Sequence, residues 1–225
     1  SADVERAEAP TDAPARPAAG LGALREAWSA VHGAELVLRR TRLAGSLDPV
    51  IWRELCEENG VDSTPEREAL FRTTYARVLA DRLERERTAR LVAGAAELVE
   101  RLAATEAVTL GLLTGNFPET GRVKLASAGL DPDVFRVAAW GDDGASRRAL
   151  PPVAMRRWEE RTGAPSRADR VLIVGDTPND VDCARANGCR SLAVATGHFG
   201  LEELVRTGAD RAVPDLSDTE ELLGW

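Results

Sequence analysis

The run Val171-Leu172-Ile173-Val174-Gly175-Asp176-Thr177-Pro178-Asn179-Asp180 constrains the fold of this chain more than any other stretch. Four aliphatic residues in succession read as a buried β-strand, and the Gly, Pro and Asn that follow mark an abrupt turn. Thr177–Asn187 then reads as a helix ended by Gly188. The same punctuation recurs on either side. Strand candidates over 108–114, 135–140 and 191–196 are followed by helical patterns over 117–128, 150–162 and 201–207, and a short strand at 212–213 precedes a last helix from Ser217. Strands alternating with helices of this length imply a parallel sheet covered on both faces, an α/β fold.

The sequence before this is helical in pattern. Leu24, Trp28 and Val31 recur at helical spacing. Asp48-Pro49 reads as an N-cap with proline in the first turn, opening a helix that stops at Gly60. Ser63-Thr64-Pro65-Glu66 starts another, with Leu70, Tyr75, Val78, Leu79 and Leu83 on its apolar face, and a further helix is expected over 91–104. Residues 1–19 stand apart: they are Ala, Pro and charge, with Val4 the one large aliphatic, a composition that buries little surface. Three parts follow: a divergent or disordered segment over 1–19, a helical region over 20–90 and an α/β region over 91–225.

With 225 residues the chain can bury a core without disulfides or metals. Its net charge of −8 removes the electrostatic footprint that announces nucleic-acid binding, so no nucleic-acid partner is expected. No apolar stretch approaches the roughly 20 residues of a membrane span, and no membrane partner is expected. The three cysteines, Cys56, Cys183 and Cys189, are odd in number and lack zinc-ligand spacing. With no secretory signal visible, they read as reduced thiols of a cytoplasmic protein.

Ligands of open α/β sheets sit at the carboxyl ends of the strands, and two such ends carry unusual residues. Asp176 and Asp180 leave the third strand candidate on one tight loop. They are placed to hold a hard divalent cation such as Mg²⁺ through oxygen, or else to cap the helix that follows. At Leu113-Thr114-Gly115-Asn116-Phe117-Pro118, the Thr114 hydroxyl and the backbone N–H groups of Gly115 and Asn116 form an anion site at a helix start, unless Asn116 is simply an N-cap. Between these ends Arg147 or Arg148 is available to neutralise a phosphate, or stands on a solvated turn.

The strings LGLLTGN and VLIVGDTPNDVDCARANGCRSLAVATG resemble the haloacid dehalogenase-like hydrolases, and within them the phosphoglycolate-phosphatase-like branch. GADRAVPDLSD and LAGSLDPVIWREL resemble that branch too, the latter its helical cap inserted after the first strand. The resemblance covers about 20–225. It implies a Rossmann-like parallel sheet with an inserted α-helical cap, and a Mg²⁺-dependent phosphatase acting on a small phosphorylated metabolite. Thr114 would bind the transferring phosphoryl group, with Gly115 and Asn116 beside it. Arg147 would replace the family's usual lysine, with Arg148 in reserve. Asp176 would ligate Mg²⁺ and Asp180 would complete that site directly or through water. The family's nucleophile lies in an apolar strand ending Asp-x-Asp-x-Thr, and no such strand is present. Asp3 and Glu5 have the required spacing of two carboxylates and are the candidates for nucleophile and acid–base partner. The alternative is a catalytically inactive relative of the same fold that binds rather than cleaves.

Overall fold

The computed structural model describes residues 19–43 and 45–225. Four helices come first: α1 (Ala19–His32), α2 (Asp48–Glu58), α3 (Pro65–Glu86) and α4 (Ala95–Ala103). Strand and helix then alternate through β1 (Gly111–Leu113), α5 (Pro118–Ser127), β2 (Val137–Ala139), α6 (Leu150–Thr162), β3 (Leu172–Gly175), α7 (Pro178–Ala186), β4 (Arg190–Val194), α8 (Leu201–Arg206), β5 (Arg211–Val213) and α9 (Thr219–Leu223).

Pairing is parallel throughout the described strands, as the alternation requires. β1 pairs with β2, and β3–β4–β5 form a second sheet with β4 in the middle. Among the described residues the two sheets are not hydrogen-bonded to one another. The expected cover on both faces is incomplete. Ile173 is buried beneath α6 and α7, against Met155, Cys183 and Ala184. On the opposite face α4 packs Ala95 and Leu98 over Leu192, Val194 and Val213. That helix stops short of β3, where Leu172 and Val174 are 41% and 47% exposed.

Helix α4 is shorter than the sequence suggests. Gly94 has φ +78°, outside the helical region, and a Cβ there would lie 1.9 Å from the Leu216 carbonyl oxygen. The approach of the C-terminal segment, fastened by Leu216 N–H to Ala93 O at 3.1 Å, therefore makes the helix begin four residues later than Leu91. Helix α3 begins as expected, with Thr64 Oγ1 accepting from the Arg67 amide.

The helical region has its own core of Trp28, Trp52, Leu55, Phe71 and Leu79. One member comes from elsewhere: Phe117, in the β1–α5 turn, is 1% exposed and belongs to this cluster. Arg72 of α3 stacks 4.3 Å over the Phe117 ring and binds Glu119 and Asp142 at 3.0 and 2.7 Å. The phosphate-loop candidate is thus clamped beneath the helices.

Candidate functional site

The β1–α5 turn is built on close backbone approaches. The Thr114 amide donates to Ala139 O, continuing the strand pairing by one residue. Gly115 lies so near the helical region that a Cβ would fall 2.7 Å from Ser46 O, and one on Gly141 would fall 2.3 Å from Gly115 O. Asp48 N–H donates to Gly115 O at 2.6 Å, and the Asp48 carboxylate accepts from the Phe117 amide at 2.7 Å, with Thr120 Oγ1 3.1 Å away as a second donor. Asp48 is therefore no cap of its own helix, whose N-cap is Leu47. It joins α2 to the turn. Burial raises its pKa, opposed by the Phe117 hydrogen bond, the Lys124 ammonium and Thr120.

Asn116 is not the N-cap of α5 either; Phe117 takes that position. The Asn116 side chain turns back instead. Its Nδ2 donates to Thr114 Oγ1 at 2.5 Å, its backbone N–H donates to the same oxygen at 3.2 Å, and its Oδ1 accepts from Lys124 Nζ. The Asn116 amide, expected to receive an anion, is thus already spent within the protein, as is the Phe117 amide next to it. Lys124 lies one turn into α5 beyond Thr120, and burial lowers its pKa against the opposing charge of Asp48.

At the β3–α7 turn Asp180 folds back over Gly175, where a Cβ would meet its carboxylate carbon at 2.3 Å. Its Oδ2 accepts from Thr177 N–H and Oγ1, closing a capping box. Its Oδ1 accepts from Arg147 Nε at 2.9 Å and Nη2 at 2.7 Å. Arg148 points elsewhere and pairs with Asp182 on the surface. Of the two arginines, Arg147 reaches the site. The helical region touches this turn as well, since a Cβ on Gly45 would lie 2.6 Å from Asn179 Nδ2.

A cavity of about 460 Å³ opens where these parts meet. Thr114, Gly115, Asn116, Lys124 and Arg147 form its polar wall, with Asp48 and Tyr75 beside them. Leu21, Leu24, Ile51 and Phe71 form the apolar wall on the helical side. Asp180 reaches the cavity only through Arg147. Asp176 stands off its wall, with its Oδ2 close against Gly197, where a Cβ would lie 2.1 Å away. Asp3 and Glu5 fall outside the described residues.

A closed, all-protein metal cage does not fit these groups: among the described residues no three His, Cys, Asp or Glu side chains gather. Both oxygens of Asp180 are engaged by Arg147 and Thr177. What fits is a hard cation held through the Asp176 carboxylate, with water and phosphate oxygens completing its shell, the mode Mg²⁺ favours.

Sequence reasoning missed Lys124 and misread Asp48. A lone lysine in an exposed-looking helix carries no local signal, because Asp48, the charge it sits near, lies in α2.

Residues 146–219, which carry Arg147, Asp176 and Asp180, match the HAD-hydrolase-like family model. In this stretch the chain is similar to the HAD-like hydrolases. A phosphoglycolate phosphatase of Rhodospirillum rubrum is 30% identical over 132 residues, 59% of this chain and 52% of that one, so the chain spans about half the length of this curated relative. A hydrolase from Pseudomonas syringae shares the HAD fold at a TM-score of 0.63 and 24% identity, covering 92% of this chain and 90% of that one. CbbY from Rhodobacter sphaeroides, in complex with phosphate, does so at a TM-score of 0.66 and 18% identity, over 89% and 88% of the two chains. In that HAD frame the N-terminal helices of this chain match the cap structures.

Proposed function

We propose that the chain is a phosphohydrolase that admits a small phosphorylated metabolite to the cavity between the helical region and the strand ends. One observation carries this reading: a hydroxyl, Thr114, and a guanidinium, Arg147, line the same wall, with the Lys124 ammonium bonded to Asn116 beside them. Preorganised donors of this kind stabilise the charge of a phosphoryl group during transfer, and a wall partly shielded from water strengthens them. Arg147 is held in place by its paired bonds to Asp180, which fixes the guanidinium plane towards one direction of approach. Asp176 would hold Mg²⁺, which would offset the charge on the phosphoryl oxygens. The apolar wall of Leu21, Leu24, Ile51 and Phe71 faces the rest of the substrate. The phosphate bound by CbbY supports an anion as ligand. The attacking carboxylate is assigned to Asp3, with Glu5 as its acid–base partner; splitting the displacement through a covalent carboxyl intermediate is the chemistry such a pair permits.

A second reading, binding without hydrolysis, is favoured by one feature. The described carboxylates nearest the cavity are committed: Asp48 to Phe117 and Thr120, Asp180 to Arg147 and Thr177. The two readings separate in one assay. Wild-type protein with Mg²⁺ is expected to hydrolyse an aryl phosphate and members of a panel of phosphorylated metabolites. Asp176→Asn and Asp3→Asn are each expected to lower turnover by several powers of ten. Phosphate binding with no turnover establishes the binding-only reading. Turnover unchanged in both variants overturns the assignment of these residues.

A further inference from the structure

We propose that Lys124 is a positioning residue for the phosphoryl site: by holding the Asn116 amide in one orientation, it makes Thr114 a pure hydrogen-bond donor towards the cavity. The inference rests on the reading of that cavity as a phosphate site.

A threonine hydroxyl has one proton to give and two lone pairs to fill. Both acceptor positions of Thr114 Oγ1 are filled from Asn116, by the backbone N–H at 3.2 Å and by Nδ2 at 2.5 Å. Its proton therefore turns away from Asn116, and Thr114 lines the cavity. An anion there meets a donor.

The arrangement depends on which way the Asn116 amide faces. Turned over, its oxygen would face Thr114 and accept the hydroxyl proton, withdrawing it from the cavity. What forbids this is Lys124, whose Nζ donates to Asn116 Oδ1. An ammonium has three donors and no acceptor, so a turned amide would set donor against donor. Lys124 in turn sits near Asp48, whose charge favours the protonated ammonium against the cost of burial. Asp48 is anchored by the Phe117 amide and Thr120. The other titratable groups sharing the cavity are Tyr75 from α3 and Arg147 from the turn before α6. An order thus runs from α2 through Lys124 and Asn116 to the hydroxyl, and a residue of the helical region governs a donor at the end of β1.

Calorimetric titration with inorganic phosphate tests this. Lys124→Met is expected to weaken binding by about tenfold or more, the worth of a hydrogen bond to an ion. Lys124→Gln can accept as well as donate, so it no longer forbids the turned amide and is expected to weaken binding as well. The deciding measurement is Lys124→Met in a Thr114→Val background. A lysine acting through Thr114 adds no further loss there, whereas one that touches the anion directly loses as much as before. The second result overturns the proposal. So does wild-type affinity in Lys124→Met. If the wild type itself takes no phosphate, the phosphate-site reading fails and this proposal with it. Melting curves report whether each variant is folded, and Lys124→Gln carries the test if Lys124→Met does not fold.

Discussion

An aspartate at the start of a helix ordinarily serves that helix, and a glycine-rich acidic turn ordinarily serves solvent. Neither rule describes Asp48 or the turn Gly141–Asp143. Asp48 spends its carboxylate on Phe117, 69 residues away in the chain. The acidic turn is gripped from two sides, with Asp142 taken by Arg72 of α3 and Asp143 by Arg157 of α6. Arg157 reaches both Asp143 oxygens, at 2.6 and 2.7 Å, and the Ala138 carbonyl as well, so it also secures the end of β2. Burial pushes the Asp143 pKa up, but the Arg157 hydrogen bonds, the Trp140 amide and the nearby guanidinium charges together hold it below its ordinary 3.8. A carboxylate depressed on folding stabilises above its unfolded pKa, and the contribution is lost as pH falls through the lower folded value. Asp143→Asn is accordingly expected to lose about 1–3 kcal/mol near neutral pH. Urea unfolding at a series of pH values is expected to bring the variant and wild type together below pH 3.8. A gap that persists undiminished in acid would mean that the pair contributes through packing rather than charge.

Strand β3 shows what an element inherits from its neighbours. Its residues alternate strictly, as a strand must, yet the two faces fare differently. Ile173 is 6% exposed beneath α6 and α7, while Val174, one residue on, is 47% exposed because α4 covers only the β4–β5 end of the other face. Ile173→Ala is expected to cost about 2–5 kcal/mol, and Val174→Ala less than about 1 kcal/mol. Denaturant midpoints of the two variants measure this directly. Equal losses would show that the Val174 face is not open to solvent. The sequence announced β3 as wholly buried, since four consecutive aliphatics carry no record of which side a helix will cover. Elsewhere local pattern was sufficient. The β1, β2 and β4 positions and the starts of α3, α6 and α7 lie where apolar runs, prolines and caps put them. The beginning of α4 does not, because the Leu216 backbone that excludes a Cβ at Gly94 arrives from more than a hundred residues downstream.

In the molecule as a whole, the helical region and the sheets are joined at the site. Phe117 belongs to the helical core, Arg72 stacks on it, and Asp48 binds its amide. One cooperative unit is therefore expected. Fluorine-labelled tryptophan reports the helical region through Trp28 and Trp52 and the sheets through Trp140, Trp158 and Trp225, and the two sets are expected to lose their native signals at one temperature. Phe117→Ala removes the shared side chain and is expected to cost about 3–5 kcal/mol and to separate the two transitions. Separate transitions in the wild type would show that the contacts at Phe117 do not couple the regions. Strand–helix alternation, the parallel sense of the strands and the junctions bearing Thr114, Asp176 and Asp180 were all legible in the chain, because each depends on residues within a few positions of one another. The choice of Arg147 over Arg148 as partner of Asp180, 33 positions on, came from packing, as did the turning of Asn116 by Lys124 and the bond from Asp48 to the β1–α5 turn. Contacts between distant segments are set by how whole helices and sheets fit together, and no window of sequence contains both partners.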